Sequence, residues 1–263
     1  MSIMSLKSIK LVTFDATNTL LKFKLPPWQH YANVAQGYGF KGTADSLKTR
    51  LLASYKIMWN DHPNFGKHTI NWEIWWHKVV KLTFEGQLPA KTDVDRIACR
   101  LINEFKTSKC WIPAQGGDKL LHLIRNQGIT IGVISNFDPR LNDILQNVNI
   151  HNKFDFVLTS YDIGYSKPDE RVFKHAIGVC KNPVKPSESL HIGDNVEKDY
   201  QGARAAGWHA LLINERLIHE KPPAMGHVFK NLEELSRTIE ALEKRYRERF
   251  TKKISIISKI FNF

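Results

Sequence analysis

The sequence predicts an α/β fold: a Rossmann-like parallel sheet covered by helices, with a helical segment inserted after the first strand. Three observations lead there. Short apolar, β-branched runs alternate with helical stretches from about residue 117 onward, an isolated strand-like run lies near the N-terminus, and residues 26–110 between them read as helix throughout.

The first strand is read at residues 9–14, in "LVTFDATNTLLKF", where four apolar or β-branched residues run into Asp15. Further strands follow at 129–135 ("ITIGVIS"), 154–160 ("FDFVLTS"), 190–193 ("LHIG") and 209–213 ("HALLI"), each short and apolar enough to be buried on both faces. Helices are expected at 117–126, 139–148, 168–180 and 196–206, the last closed by Gly207 as a left-handed residue. In the insert, Trp72, Trp75, Trp76, Val79 and Val80 fall at i, i+3, i+4, i+7 and i+8. That stripe reads as the insert's core, with a substrate-facing aromatic as the minority reading. Val94, Ile97, Leu101, Ile102 and Phe105 make a second such face, and Pro26-Pro27 and residues 110–117 are the expected hinges. The division that follows is 1–22 with 111–236 as the α/β core, 23–110 as a helical cap, and 237–263 as a basic helix and tail.

Composition narrows the class. With 42% hydrophobic and 24% charged residues over 263 positions, the chain folds as a soluble protein able to bury a sizeable core. Three scattered cysteines, Cys99, Cys110 and Cys180, form neither a disulfide framework nor a CxxC metal site, and they suit a reducing compartment. The first residues lack a signal-peptide apolar region, and no run is long enough to cross a bilayer. A cytoplasmic location is expected, and the basic charge is compatible with a nuclear presence. The net charge of +12 is uneven, with eight Lys/Arg against three Asp/Glu from position 237 to the end. No zinc-finger, RNP or helix-turn-helix pattern accompanies it, so no specific nucleic-acid partner is expected. A weak contact of this basic tail with an anionic surface is the sharper reading; a packed terminal helix with a fraying end is the plainer one.

Ligands of an open α/β sheet bind outside the carboxyl ends of its strands. Here the first strand ends at Asp15, the second at Ser135-Asn136, the third leads to Lys167, and the fourth ends at Asp194 with Asp199 soon after. Singly these are ordinary turn and cap residues; their joint order points to phosphoryl transfer. A carboxylate such as Asp15 can attack phosphorus and divide one hard displacement into two. Lys167 would supply fixed positive charge, the Ser135 hydroxyl and the Asn136 amide would supply donors, and Asp15 with Asp194 offers hard oxygens suited to Mg²⁺. Asp138 and Arg140 are read as capping the helix that starts at Pro139, with substrate contact as the alternative.

"FDATNTL", "VISN", "SKPDERVF" and "HIGDNVEKD" resemble, in this order, the four motifs of the haloacid dehalogenase-like (HAD) superfamily, and the insert is similar to its C1-type cap. "NFDPRL" and "PNFG" add a likeness to an animal branch of it. The resemblance covers the chain to about Asn214. It implies a nucleophile at Asp15, a phosphate-binding hydroxyl at Ser135, a charge-stabilising lysine at Lys167, and a Mg²⁺ site from Asp15, Asp194, the main-chain carbonyl of Thr17, and Asp199 as ligand or support. It also marks a departure. Most phosphatases of the superfamily carry a second Asp where this chain has Thr17, and that Asp protonates the leaving group. General acid–base catalysis is worth roughly 10² to 10⁴ in rate. Two readings follow: a hydrolase of small phosphorylated metabolites that is slow or selects good leaving groups such as acyl phosphates, or a non-catalytic descendant binding a phosphorylated ligand or a protein partner. A dehalogenase is disfavoured by the metal-ligand-like pair in "GDNVEKD". A phosphonatase would need a Schiff-base lysine from the cap.

Overall fold

In the computed structural model, which describes residues 6–214 and 226–260, strand β1 (Leu11–Phe14) is buried along its whole length and runs straight into Asp15. The chain then leaves the sheet through a two-stranded ribbon, in which β2 (Leu21–Phe23) pairs antiparallel with β3 (Trp111–Pro113). Between these strands lie α1 (Pro27–Gln36), α2 (Ala44–Asp61), the single turn α3 (Pro63–Gly66), α4 (Trp72–Phe84) and α5 (Val94–Glu104). After β3 come α6 (Gly117–Arg125), β4 (Thr130–Ser135), α7 (Arg140–Asn147), β5 (Phe156–Thr159), the short α8 (Ser160–Ile163), α9 (Glu170–Gly178) and β6 (Ser189–Gly193). A π-helical turn at Val196–Gln201, α10 (Gly202–Ala205), β7 (His209–Ile213), β8 (Val228–Phe229) and α11 (Leu232–Ile260) complete the described chain.

The six sheet strands are all parallel, in the order β5-β4-β1-β6-β7-β8. From β1 the chain steps outward to β4 and β5, then crosses to β6 on the opposite side. The direction of winding therefore reverses beside β1, which opens a crevice at the carboxyl ends of the central strands. Register levels those ends: Phe14 lies opposite both Val133 of β4 and Ile192 of β6. Residues one or two positions beyond, Asp15, Ser135 and Asp194, are thus delivered to one place.

The insert helices begin where their sequences supply caps. Thr43, Asn71 and Asp93 each accept a main-chain N–H from the first turn of α2, α4 and α5, at 3.2, 2.7 and 3.0 Å. Trp75 fills the middle of this helical body, fully buried, with its indole N–H shared between the Met58 and His62 carbonyls. Trp72 and Trp76, expected in the same core, are only partly buried, because they look toward the sheet domain. Trp76 lines the cleft between the insert and the sheet domain.

Three other expectations change. Of the expected hinges, 110–117 contains one strand of a hydrogen-bonded ribbon and Pro26-Pro27 follows the other, since Leu21, Lys22 and Phe23 find partners in Pro113, Ile112 and Trp111. The helix expected at 196–206 opens as a π-turn before one α-turn at Gly202–Ala205. The tail has no break at 237: α11 starts at Leu232 and buries Leu232, Leu235 and Ile239 in the main core. The side chain of Tyr246, expected on that face, residues 261–263 of the expected tail, and the first five residues lie outside the described residues.

Candidate active site

Lys167 is the hub of the crevice. Its ammonium has three protons, and it meets three oxygens: Asp15 Oδ1 at 2.7 Å, Asp199 Oδ1 at 2.7 Å and the Ile134 carbonyl at 2.6 Å. The Ser135 hydroxyl donates to the same Asp15 Oδ1, at 3.1 Å. Both donors engage one carboxylate oxygen, so Oδ2 of Asp15 is the oxygen turned away from them. Lys167 is itself held by a pair of bonds that sequence reasoning had given to substrate. The Asn136 side-chain amide donates to the Lys167 carbonyl at 2.8 Å, and its oxygen accepts the Lys167 N–H at 2.7 Å. Asn136 borders the cleft and positions the lysine with its amide oxygen and one of its two amide protons.

Asp194 and Asp199 arrive from the end of β6 by different routes. Asp194 follows Gly193 directly and accepts from the Asn18 side chain at 3.3 Å. Asn18 reaches it from a left-handed backbone, φ 62°, in the turn after Asp15. Asp199 lies inside the π-turn, whose wide winding carries its carboxylate back beneath the strand end to accept the Asn195 N–H at 2.9 Å. It passes so close to Gly193 that a Cβ there would sit 2.3 Å from its carboxyl carbon. Glycine at 193 is required by that contact. The ligand atoms of Asp15, Asp194 and Asp199 lie within 4.8 Å of one another.

The charges explain the titration. Three carboxylates face one ammonium, in a place where burial penalises every charged form. Burial raises Asp15 above the usual carboxylate range, with Asp199 adding to it and Lys167 pulling the other way. Burial, then Asp15 and Asp199, pushes Asp194 up to about 7. Asp199 moves oppositely: burial would raise it, yet Lys167 and His191 hold its carboxyl well below the ordinary range. Burial alone would lower Lys167, and the charges of Asp15 and Asp199 more than offset that, so it stays firmly protonated. Such a cluster, short of positive charge and built of hard oxygens, is chemically matched to a divalent cation.

His191 was not singled out by sequence. Its ring bridges Thr13 on β1, directly opposite it in the sheet, to Asp199: Nδ1 lies 2.8 Å from the Thr13 hydroxyl and Nε2 3.2 Å from Asp199 Oδ1. Burial and Lys167 lower its pKa, so the ring is neutral. With the lysine protons committed, Nε2 carries the hydrogen given to Asp199, and Nδ1 accepts from Thr13. The signal was present as two polar residues, Thr13 and His191, each flanked by apolar neighbours within its strand.

Polar contacts tie the helical insert to the sheet domain over this crevice. The Trp76 indole donates to Asp138 Oδ2 at 2.8 Å. The Asn64 amide donates to the Ser160 carbonyl at 2.7 Å. Arg140, paired with both oxygens of Asp138 at 2.8 and 2.7 Å, lies against the Trp72 and Trp76 rings. Asp138 also accepts the Arg140 main-chain N–H at 3.0 Å, as expected of a helix cap. Asn64 and Phe65 both adopt left-handed backbone, φ 51° and 57°, and a bulky residue there is held only by surroundings that fix it. The "PNFG" turn is thus shaped to set Asn64 on the sheet domain and Phe65 against Trp75 and Trp76.

A family model described as haloacid dehalogenase-like hydrolase matches residues 9–207. The chain belongs to the haloacid dehalogenase-like hydrolase family. Among HAD-like relatives, the rhythmically expressed gene 2 protein of Drosophila melanogaster is 37% identical over 223 residues, covering 81% of this chain and 85% of that protein. Human haloacid dehalogenase-like hydrolase domain-containing protein 3 is 33% identical over 243 residues, covering 89% of this chain and 95% of its own length. The fold is also that of solved HAD hydrolases. A magnesium-bound putative HAD-hydrolase from Bacillus subtilis superposes with a TM-score of 0.65 at 17% identity, covering 88% of this chain and 99% of that one. An L-2-haloacid dehalogenase from Xanthobacter autotrophicus superposes at 0.63 and 19%, covering 88% and 98%.

Proposed function

We propose that this HAD-like hydrolase is a Mg²⁺-dependent phosphohydrolase of small phosphorylated metabolites, working through an aspartyl-phosphate on Asp15. One observation carries the reading: Asp15, Ser135, Lys167 and Asp194 converge at the ends of three adjacent strands, with Lys167 bound to Asp15 at 2.7 Å. Asp15 and Asp194, with the Thr17 main-chain carbonyl, would hold the ion, and Asp199 stands within reach. Mg²⁺ bound there would neutralise the carboxylates and the phosphoryl oxygens, allowing an anionic ester to approach.

The residues divide the work. Oδ2 of Asp15, clear of the lysine and serine donors, attacks phosphorus; the P–O bond to the leaving group breaks, and its electrons depart on that oxygen. Lys167 and Ser135 keep Asp15 aimed and stand beside the equatorial oxygens, where charge is spread. Water then attacks phosphorus, releasing inorganic phosphate and restoring the Asp15 carboxylate. Asp199 and Asn136 hold Lys167, and His191 holds Asp199. Thr17 has no carboxyl proton to give, so the leaving oxygen departs on its own acidity.

A panel of phosphate esters with Mg²⁺ tests this. Turnover is expected to vanish with EDTA and to fall at least about 10³-fold in Asp15→Asn. Full activity in Asp15→Asn would overturn the reading, and no turnover of any ester would favour the ligand-binding descendant.

A further inference from the structure

From Thr17 and Asn136 the crevice opens into a cavity of about 260 Å³ between the helical insert and the sheet domain. We propose that this cavity takes a flat, uncharged aromatic leaving group, so that the substrate is an aryl phosphate with a single charged end. The inference rests on the phosphohydrolase reading and narrows its substrate class.

The walls are apolar or aromatic: Trp28, Tyr31, Leu51, Leu52, Leu101 and Phe105 face it. Charge there is already spoken for. Arg140 borders the cavity with one edge of its guanidinium, Nε and Nη2, held by both oxygens of Asp138, which also accepts the Trp76 indole. Its charge is thereby offset by Asp138, and no other Lys or Arg is among the described residues that line the cavity, which is a poor setting for a second phosphate or a carboxylate. The sugar hydroxyls of a polar metabolite would exchange water for hydrocarbon, at a cost that this lining does not repay. Size agrees with a ring: an apolar cavity of about 150 Å³ holds one benzene, so this one has room for two fused rings. Burial raises the Tyr31 and Tyr55 phenols, the neutral state that an apolar cleft favours.

Leaving-group chemistry points the same way independently. Thr17, at the mouth of this cavity, cannot protonate a departing alkoxide. A phenol is far more acidic than an alcohol, with a pKa of about 10 for the tyrosine side chain. An aryl oxide leaves without the missing acid.

The full-length protein with Mg²⁺ is assayed on 2-naphthyl phosphate, phenyl phosphate and glycerol phosphate. Alongside, binding of 2-naphthol is followed by calorimetry for the wild type, Leu52→Asp and Trp28→Ala. Leu52 is 56% exposed at the cavity rim, so its replacement leaves the fold standing. Expected are a kcat/KM for 2-naphthyl phosphate about tenfold or more above phenyl phosphate, whose leaving group is similarly acidic, and a far lower value for glycerol phosphate. Both variants are expected to weaken 2-naphthol binding about tenfold. Equal or better use of glycerol phosphate, or no binding of 2-naphthol, would overturn the inference while leaving the phosphohydrolase reading intact. Binding of 2-naphthol that Leu52→Asp weakens, with no ester hydrolysed, would support the cavity's assignment and instead defeat the phosphohydrolase reading.

Discussion

Lys167 balances two buried carboxylates, and removing it exposes what it offsets. In Lys167→Met, Asp15 and Asp199 would face each other without a cation, and breaking a buried pair from one side typically costs about 3 to 5 kcal/mol. Urea denaturation is expected to show that loss, with saturating Mg²⁺ recovering part of it. Asp194 gives a pH signature. Its carboxyl is raised from 3.8 to about 7 in the folded chain, chiefly by burial and then by Asp15 and Asp199. The folded state therefore binds this proton more tightly than the unfolded one. Its contribution to stability is full below about pH 4 and is lost as pH rises through about 7. Metal-free protein is expected to show a lower Tm at pH 8 than at pH 5.5 from this group, and Asp194→Asn to flatten the difference. Mg²⁺ competes with that proton, so its stabilisation should be larger at pH 8 than at pH 6. Thermal scans at these pH values, with and without Mg²⁺, check both.

At the scale of elements, the π-turn at Val196–Gln201 and Gly193 work as one device. The glycine leaves space, and the wide turn fills it with the Asp199 carboxylate. Gly193→Ala would drive a methyl into that carboxylate. It is expected to lower Mg²⁺ affinity and activity together, with about 1 to 3 kcal/mol of lost stability, measured by metal titration and denaturation. The strands and their polar ends were legible in sequence because a parallel sheet buries both faces and leaves its chemistry at the carboxyl ends. Asp15, Ser135 and Asp194 stand at or just past such ends, whereas Lys167, eight positions past β5, joined them through the resemblance of "SKPDERVF" to a family motif. The π-turn was not legible, since "NVEKDYQGARAAG" reads locally as an ordinary helix and does not show that Asp199 packs against Gly193. Likewise a sequence does not reveal that Asn136 also braces the main chain of Lys167, 31 positions later.

Across the whole molecule, the apposition of insert and sheet domain rests on pairs remote in sequence, which no local pattern announces. Trp76 and Asp138 are 62 positions apart, and Asn64 and Ser160 are 96. The tryptophan stripe was correctly read as apolar and helical, yet period alone could not separate Trp75, buried within the insert, from Trp76, turned to the cleft. Trp76→Phe would keep an aromatic ring, though a smaller one, and remove the N–H, leaving the buried Asp138 carboxylate one donor short. A cost of about 1 to 3 kcal/mol is expected. Hydrogen exchange should quicken at the start of α4 and of α7, which this bond ties together.

As a phosphohydrolase, the proposed function, the protein would lack the usual carboxyl proton donor at Thr17, and the dependence of rate on leaving-group acidity tests that most directly. Values of kcat/KM are measured with Mg²⁺ for substituted phenyl phosphates of graded leaving-group pKa, in the wild type and in Thr17→Asp. The wild type is predicted to slow steeply as the leaving group becomes less acidic, and Thr17→Asp to flatten that slope by rescuing the poorest leaving groups. A shallow wild-type slope that Thr17→Asp leaves unchanged would mean that another group supplies the proton, and would contradict the account.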